Sequence, residues 1–345
     1  MVKEIVPAQV ITHLNGTTIV DVRSPAEYDK GHIPGAINLP LFNNEERKII
    51  GTLYHQYSSD EAFQKGLELA GSKLSGYVRD IRLKTVNKNL LIYCWRGGMR
   101  SESLSNLLSI SGFDVLRLSG GYKAFRNFML KYAGNQYRFI VIGGMTGSGK
   151  SSILREIGKK GFRILDIEEI SSHKGSVFGH LGQTSQPTNE QFENDIFFKL
   201  NALNNKQPVW VEDESRSIGS NQIPESIFNT IIISPLILIE LSKTLRVKRL
   251  VHEYARFDPS MLQISIEKIS KRLGDLNTRL AKEAILQSRF DIAAGIALDH
   301  YDKAYTFSVN KRKPETVYRL KTEKDDPERN ADLILEFAGK CGLLN

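Results

Sequence analysis

A cysteine followed by a glycine-rich turn and two arginines is the first pattern in this sequence that suits chemistry. The segment YCWRGGMRS places Cys94 directly after an apolar run. Backbone N–H groups at the start of a helix create an electropositive position, which favours the reactive thiolate form of cysteine. Gly97 and Gly98 permit conformations closed to other residues, and Arg96 and Arg100 can face an oxyanion. The pattern predicts a reactive Cys94, and a buried, inert thiol is the alternative.

A second glycine-rich segment, GGMTGSGKSS, matches the phosphate-binding pattern G-x-x-x-x-G-K-[ST] without a gap. It follows an apolar run and precedes a helical pattern, which is the context that the motif requires. Its backbone N–H groups and Lys150 are expected to hold a di- or triphosphate, with Ser151 placed to hold Mg²⁺. The predicted diphosphate-binding residues are Gly144, Gly147, Ser148, Gly149, Lys150, Ser151 and Ser152.

A group of acidic residues follows the apolar run VWV. Asp213 stands where phosphate-loop folds often keep a carboxylate associated with a metal ion. Glu212 and Glu214 flank it, so the choice among the three stays open. A solvated strand end is the alternative interpretation of these residues.

Alternating strand and helix patterns position both loops. In the first half, TTIVDVRS, NLLIYCWRGG and DVLRLSGGYKAF predict strands, and SESLSNLLSISGF predicts a helix that stops at Gly112. In the second half, YRFIVIGG, FRILDIEE, PVWVEDE and NTIIIS predict strands, and MTGSGKSSILREIGKKG predicts a turn and a helix. Beyond about Leu241 the pattern becomes helical and basic. This alternation predicts an α/β protein whose parallel sheets carry working loops at the carboxyl ends of their strands.

Length and composition set the class of protein. The chain has 345 residues, more than one core usually holds, so two domains are expected, 1–133 and 134–345, divided at the polar turn Gly134, Asn135 and Gln136. With 41% hydrophobic and 25% charged residues, the composition excludes the disordered and fibrous classes. The start MVKEIVPAQV lacks the apolar core of a signal peptide, and no apolar run is long enough to span a bilayer. We therefore predict a cytoplasmic protein that does not act at a membrane.

Positive charge is concentrated in the last third of the chain. The formal net charge is +8, and residues 241–290 contain 11 Lys and Arg against 5 Asp and Glu. Such a stretch is compatible with a polyanionic partner, and a solvated helix face is the alternative. The residues expected to contact a nucleic acid are Arg246, Lys248, Arg249, Lys271 and Arg272.

Longer motifs resemble a known family. DVRSPAEYDKGHIPGAINLP, the loop after Cys94 and LSGGYKAF together resemble a rhodanese domain, a fold that carries sulfur or selenium on its cysteine. A phosphate-loop domain follows directly, and LPLFNNEER, HKGSVFG, QPTNEQFEN and DESRSIGSNQIPE accompany it. This order resembles the tRNA 2-selenouridine synthase family from the first strand to roughly Arg249, and again at KRLG. The resemblance implies a rhodanese-like domain followed by a P-loop NTPase-like α/β domain with a helical, basic C-terminal part.

The resemblance also implies an activity and its partners. It implies that sulfur is replaced by selenium from selenophosphate at the wobble 2-thiouridine of tRNA, by way of a geranyl group taken from geranyl diphosphate. The phosphate loop would then hold the departing diphosphate rather than ATP, and a selenophosphate-producing enzyme would supply the donor. No firmly bound cofactor is implied, and Mg²⁺ stays possible. The family's cysteine carries over to Cys94, either as a selenium carrier or as a residue that positions the donor, and its loop to Trp95, Arg96, Gly97, Gly98, Met99 and Arg100. Further candidates from its motifs, each with a structural alternative, are His173, Arg216 and Asn221.

Two other functions fit parts of the pattern. The spacing of Cys94 and Arg100 is also that of phosphatases with a cysteine nucleophile, some of which use the rhodanese fold. Such an enzyme usually needs a carboxylic acid to protonate its leaving group. The second alternative is a nucleotide-dependent kinase or switch with a non-catalytic rhodanese module, which predicts measurable ATP or GTP turnover.

Overall fold

A computed structural model describes residues 2–132, 137–203 and 207–344. The chain divides into two compact units, Met1–Tyr132 and Ala133–Asn345. The predicted boundary turn, residues 134–136, lies outside the described residues.

The first unit is a parallel five-stranded sheet with helices, as predicted for the rhodanese-like half. The strand order is β1-β5-β4-β2-β3, and every neighbouring pair is parallel. Because parallel strands are covered on both faces, β4 is buried along four of its five residues. The strands β1 to β5 are Lys3–Ile5, Thr18–Asp21, Ile37–Asn38, Asn89–Tyr93 and Asp114–Leu118. The helices α1 to α6 are Pro25–Lys30, Asn44–Gln56, Ser59–Gly71, Leu74–Lys84, Met99–Ile110 and Gly121–Tyr132, and 3₁₀ turns span Pro7–Gln9 and Ile11–His13.

The second unit is also built on a parallel five-stranded sheet. Its order is β12-β11-β6-β8-β7, and β9 and β10 form a separate antiparallel hairpin. The strands β6 to β12 are Phe139–Gly144, Ile164–Leu165, Val209–Glu212, Ser217–Ile218, Asn221–Gln222, Leu236–Glu240 and Val317–Lys321. The helices α7 to α11 are Lys150–Lys159, Ile167–Ser171, Asn189–Ala202, Glu225–Ile233 and Lys243–Tyr254. The helices α12 to α16 are Pro259–Glu267, Ser270–Leu273, Asp275–Leu286, Phe290–Val309 and Pro327–Lys340, and a 3₁₀ turn spans Pro314–Thr316.

One predicted strand was wrong. The segment NTIIIS forms the end of helix α10, which begins directly after Pro224 and ends at Ile233, with Ser234 as its C-cap. Ile227 and Ile231, four residues apart, are buried on one face, while Ile233 is 75% exposed. The apolar residues therefore follow the helical period, and the sheet strand is the next segment, β11.

The helical, basic character predicted after Leu241 is present in α11 to α16, interrupted by β12. Within the described residues, no helix combines the length and the apolar character needed to cross a bilayer. Helices α12, α14 and α15 share an apolar core that includes Leu262, Ile266, Ala281, Ile285 and Ala297. Helices α11 and α15 contact the carboxyl end of β6 and the loop after it, through Arg246 and Tyr305 respectively.

Candidate functional site

Cys94 lies at the carboxyl end of β4, between β2 and β5. The chain then forms the loop 95–98, called here the cysteine loop, before α5 begins. Cys94 is 3% exposed. Its carbonyl oxygen accepts a hydrogen bond from the backbone N–H of Tyr122 at 2.9 Å, and that of Trp95 accepts one from Lys123 at 3.0 Å. The first turn of α6 therefore holds the start of the cysteine loop through two backbone hydrogen bonds.

Glycine at two positions lets the cysteine loop and the start of α6 approach each other. Gly97 has a φ of +70°, and a Cβ added there would lie 2.8 Å from the carbonyl oxygen of Leu118. Gly121 has a φ of +61°, and a Cβ there would lie 2.5 Å from the Gly97 nitrogen and overlap the carbonyl oxygen of Cys94. Both the conformation and the space therefore require glycine.

The sulfur of Cys94 lies beside a serine at the base of α5. Its Sγ is 3.2 Å from Ser101 Oγ and 3.8 Å from the carbonyl oxygen of Gly98. Among the described residues, the backbone N–H groups of residues 95–98 donate to no protein acceptor. N–H groups without a protein partner at a helix start form a suitable cradle for an oxyanion.

The arginines of this loop have different surroundings. Arg100 donates from Nη1 to Glu27 Oε2 at 2.7 Å. Burial opposes ionisation of Glu27, but the hydrogen bond and charge of Arg100, with further contributions from Ser24 and Arg47, hold the pKa of that carboxyl below its usual value. Arg96 and Met99 are exposed, and Trp95 packs on Tyr122 with ring centroids 5.9 Å apart. Glu27 thus fixes Arg100 at the rim of the loop.

The second predicted loop lies at the carboxyl end of β6, in the middle of the other sheet. The phosphate loop, residues 145–149, connects β6 to α7. Gly147 and Gly149 both have φ values of +81°. Among the described residues, the N–H groups of 145–147 and of Gly149 donate to no protein acceptor, whereas that of Ser148 donates to Met145. The predicted diphosphate-binding residues are therefore brought together around one N–H cradle.

Lys150 stands among carboxylates. Its Nζ donates to the carbonyl oxygen of Gly144 at 3.2 Å and lies 3.7 Å from Glu214 Oε1. Burial opposes its charge, but Glu214, Glu168 and two neighbouring acids outweigh burial and raise the pKa of Lys150. Burial also raises the pKa of Glu214 to about 7, against the opposing charge of Lys150. The site therefore contains a permanent cation beside a carboxyl group that titrates near neutral pH.

Two further carboxylates complete this cluster. Ser151 Oγ donates to Glu168 Oε2 at 2.6 Å. Glu212 is fully buried, and neither of its carboxylate oxygens has a hydrogen-bond partner among the described residues. Burial, followed by the charges of Glu168 and other neighbouring acids, raises the pKa of Glu212 well above its usual value. The protein around Glu212 therefore disfavours its charged form, and a cation bound beside it would favour that form.

Asp213 accepts hydrogen bonds from two protein side chains. Its Oδ1 accepts from Arg312 Nη2 at 2.7 Å, and its Oδ2 accepts from the Tyr305 hydroxyl at 2.8 Å. The same hydroxyl accepts from the backbone N–H of Gly144 at 2.9 Å. Both oxygens of Asp213 are thus engaged by protein side chains, and through Tyr305 this residue anchors the first residue of the phosphate motif. Of the three acids among which the sequence left the metal-associated carboxylate open, Glu212 is the one whose oxygens have no partner among the described residues.

Two of the basic residues expected to contact tRNA lie at the phosphate loop. Arg246 is 3% exposed, forms two 2.8 Å hydrogen bonds with Asp302 and donates to the carbonyl oxygen of Thr146. Its burial corrects the expectation that it contacts tRNA. Arg249 donates to Ser152 Oγ at 2.5 Å and to Asp325. The other predicted contacts are exposed: Lys248, Lys271 and Arg272.

Two of the three remaining candidates, Asn221 and Arg216, are engaged by other side chains or by the backbone. Asn221 is buried and bonds through its side chain to Gln186 and to the carbonyl oxygen of Pro187, which joins two of the family-like motifs. Arg216 is 47% exposed on its side chain and lies 3.4 Å from Glu225, not beside Asp213 or Glu214. His173 is buried directly after α8, with a pKa lowered by burial and then by His180 and Lys268.

Sequence reasoning did not single out Glu168, Ser101, Tyr305 or Arg312. Ser101 could have been identified from its position shortly after the cysteine loop, and Glu168 from its position shortly after a strand end. Tyr305 and Arg312 lie 161 and 99 residues from their partners Gly144 and Asp213, and no local pattern marks them.

Comparison with known proteins identifies the family of each unit. Residues 137–325 match the model of the tRNA 2-selenouridine synthase AAA domain, and residues 6–128 match the rhodanese-like domain. A tRNA 2-selenouridine synthase from Pseudomonas syringae pv. tomato is 36% identical over 287 residues, covering 80% of this chain and 74% of the relative. One from Sulfurovum sp. (strain NBC37-1) is 29% identical over 345 residues, covering 89% of this chain and 92% of the relative.

Proposed function

This chain belongs to the tRNA 2-selenouridine synthase family and is an enzyme of that activity, and from this premise we propose how its two loops divide the reaction. The phosphate loop holds the diphosphate of geranyl diphosphate while the geranyl group passes to the sulfur of wobble 2-thiouridine. The cysteine loop acts on selenophosphate while selenium replaces the alkylated sulfur. One observation carries this division: both loops present N–H groups without protein acceptors, but only one has a thiol at its base.

The first step is an alkylation. The thiocarbonyl sulfur attacks C1 of geranyl diphosphate, a C–S bond forms, the C–O bond to diphosphate breaks, and the proton on N3 of the base is lost. The N–H cradle and Lys150 stabilise the charge that develops on the departing diphosphate. Glu214, beside Lys150 and with a pKa of about 7, is the carboxylate that we propose as the acceptor of the N3 proton.

Alkylation changes the leaving group for the second step. A thiocarbonyl sulfur leaves poorly, whereas an S-geranyl group leaves as a thiolate. A selenium nucleophile adds at C2 of the base, the C–S bond breaks, and geranylthiolate departs and takes up a proton. The product is 2-selenouridine, without any oxidation or reduction of the base.

The oxidation state of selenium in selenophosphate determines which role we propose for Cys94. Selenium in selenophosphate is already at the selenide level, so its transfer to Cys94 as a perselenide would require an oxidant or leave phosphorus reduced. Attack of the Cys94 thiolate on phosphorus avoids this: an S–P bond forms, the P–Se bond breaks, and selenide leaves. Water then hydrolyses the S–P bond and regenerates the thiol. Ser101 supports this role: its hydroxyl donates to the carbonyl oxygen of Gly98 at 3.0 Å and lies 3.2 Å from the sulfur, so it can turn to donate to the thiolate when that forms.

A Mg²⁺ ion fits the other loop. The buried oxygens of Glu212 without partners, together with Glu168 and Ser151 Oγ, are the hard oxygen ligands that this ion prefers. When bound, the ion would neutralise part of the diphosphate charge.

The tRNA is proposed to lie along the exposed basic residues Lys248, Lys271 and Arg272. Their side chains are on the surface of the helical part, where phosphates can reach them. The support is the local excess of positive charge together with the tRNA substrate of the family.

The test supplies thiolated tRNA, geranyl diphosphate and selenophosphate, together and with each donor omitted. Mass spectrometry of the wobble nucleoside identifies the product, and selenophosphate labelled on phosphorus or on selenium shows which atom reaches Cys94. We expect 2-selenouridine with both donors, S-geranyl-2-thiouridine without selenophosphate, and phosphorus label on Cys94 after a rapid quench.

The controls separate the parts of the proposal. Selenium label on Cys94 without phosphorus label would overturn the attack on phosphorus and restore the selenium-carrier alternative. Formation of 2-selenouridine at an unchanged rate without geranyl diphosphate would overturn the alkylation step.

A further inference from the structure

A pocket in the second unit is lined almost entirely by apolar side chains and reaches the phosphate loop. It encloses about 540 Å³, its open mouth included. Thr146 of the phosphate loop is among its lining residues, and the walls come mainly from α11, α15 and the segment around Phe178. Ligand sites are typically concave and mostly apolar with a few polar groups at one place, so an apolar pocket beside an anion cradle is a candidate binding site.

Small residues on α15 create the space. Ala293, Ala294 and Ala297 face the pocket, and the larger side chains of Tyr254 and Phe290 complete its walls. The Tyr301 hydroxyl, also at the wall, is engaged by the backbone N–H of Val177 at 3.2 Å. The polar end of this ring is therefore occupied, and the pocket offers mainly carbon surface to a ligand.

The pocket wall and the anion cradle share neighbouring residues. Leu250, which lines the pocket, lies so close to Gly147 that a Cβ added to the glycine would be 3.2 Å from Leu250 Cγ. The carbonyl oxygen of Thr146 is fixed by Arg246 at 3.2 Å. An anion bound to the N–H groups of the phosphate loop would thus lie next to the apolar wall of this pocket.

We propose that this pocket holds the hydrocarbon chain of geranyl diphosphate while the phosphate loop holds its diphosphate. The inference rests on the proposed use of geranyl diphosphate and adds the place where its chain is bound. A ligand that fits both parts joins an anion to an apolar group, and a prenyl diphosphate matches this better than a nucleotide, whose polar ribose would find few partners in the wall. The arrangement puts C1 of the chain at Thr146, where the apolar wall keeps water away from the reacting carbon.

The test fills the pocket by the substitution Ala294→Phe. Calorimetry measures binding of geranyl diphosphate and of inorganic diphosphate to the full chain. We expect the affinity for geranyl diphosphate to fall roughly 100-fold, while that for inorganic diphosphate changes less than about two-fold. The matched control is Ala304→Phe, the same substitution at an exposed position of the same helix, which should change neither affinity.

A second variant enlarges the pocket, so the proposal does not depend on the stability of Ala294→Phe. Phe290→Ala should shift the preference from geranyl towards farnesyl diphosphate by about ten-fold or more. An unchanged preference for geranyl over inorganic diphosphate in folded Ala294→Phe, or an unchanged chain-length preference in Phe290→Ala, would overturn the pocket assignment.

The same measurements distinguish this inference from the proposed function. If the wild-type chain binds geranyl diphosphate about as weakly as inorganic diphosphate, the pocket assignment fails. If it binds geranyl diphosphate tightly and the variants behave as expected, but thiolated tRNA is not geranylated, the pocket stands and the alkylation step fails.

Discussion

The cysteine loop and the phosphate loop share one backbone arrangement, and they differ in the side chain at its centre. Each joins the end of a central parallel strand to the start of a helix, and each contains a glycine with positive φ and N–H groups without protein acceptors. The first encloses the thiol of Cys94, whereas the second places the ammonium of Lys150 beside its cradle.

The charged side chains around the two loops also differ. Lys150 is surrounded by Glu168, Glu212, Asp213 and Glu214, whereas Glu27, a carboxylate at the rim of the cysteine loop, is bound by Arg100. A cradle with a nucleophile breaks a bond at the bound anion, and a cradle with a cation stabilises an anion that leaves. In the proposed reaction, the N–H cradle determines which class of ligand binds, and the side chain at its centre determines which step follows.

The largest expected effect is that of a substitution at Cys94, which should affect only the reaction assigned to the cysteine loop. Cys94→Ala should lower selenouridine formation on the order of 10⁴-fold, because it removes the proposed nucleophile. Geranyl transfer should stay within about two-fold, so S-geranyl-2-thiouridine should accumulate in a nucleoside digest. Cys341→Ala, at the other free cysteine, is the control. Equal loss of both reactions would mean that the loops do not divide the work.

Lys150→Ala is the reciprocal change. Loss of the cation at the departing diphosphate should slow geranyl transfer by about 10²- to 10³-fold. Single-turnover assays with radiolabelled geranyl diphosphate measure this rate, and phosphorus labelling of Cys94 should be unaffected. Lys159→Ala, an exposed lysine of the same helix, should behave as the wild type.

The pH profile tests the carboxylate beside Lys150. Burial raises the pKa of Glu214 to about 7, so the group is protonated below that pH and can accept a proton only above it. Geranyl transfer at saturating donor should therefore rise as the pH increases through about 7. Glu214→Gln should slow transfer by at least about 100-fold and remove this rise. A profile that survives the substitution would assign the titration to another group.

Tyr305→Phe should have a smaller effect. It removes the hydroxyl that joins Asp213 to the N–H of Gly144, which leaves a buried donor and a buried acceptor with one partner fewer. We expect a loss of about 1–3 kcal/mol in unfolding free energy, measured by urea denaturation. Tyr318→Phe, beside the apolar core in β12, is the matched control.

The smallest effect concerns the tRNA surface. Lys271→Glu and Arg272→Glu should each reduce the slope of log affinity against log salt concentration by about one. Filter binding of thiolated tRNA at several salt concentrations measures the slope. Lys340→Glu, an exposed change of equal charge on α16, should leave it unaltered. Equal slopes in all variants would place the tRNA on another surface.

Much of the fold was predictable because its patterns are local. The apolar runs before Cys94 and Gly144 are the central strands β4 and β6, and the helix predicted to stop at Gly112 ends at Ile110. Both loops could be located for the same reason, because strand, glycine turn and helix start lie within about a dozen residues.

What could not be predicted depends on distant contacts. The segment NTIIIS has a strand-like composition, but a proline immediately before α10 and burial of every fourth residue make it helical. Asp213 and Arg246 look like site residues from their positions, yet Arg312 and Asp302 occupy them. Those partners are far away in sequence, and no local periodicity encodes them.

The contact between Tyr305 and Gly144 also has a consequence for synthesis on the ribosome. The phosphate motif is translated 161 residues before the tyrosine that holds its first glycine, whereas Glu27 is already present when Arg100 emerges. The cysteine loop can thus mature early in translation, but the phosphate loop waits for nearly the whole chain. A fragment ending before residue 305 would display an intact phosphate motif and still lack the support that orders it.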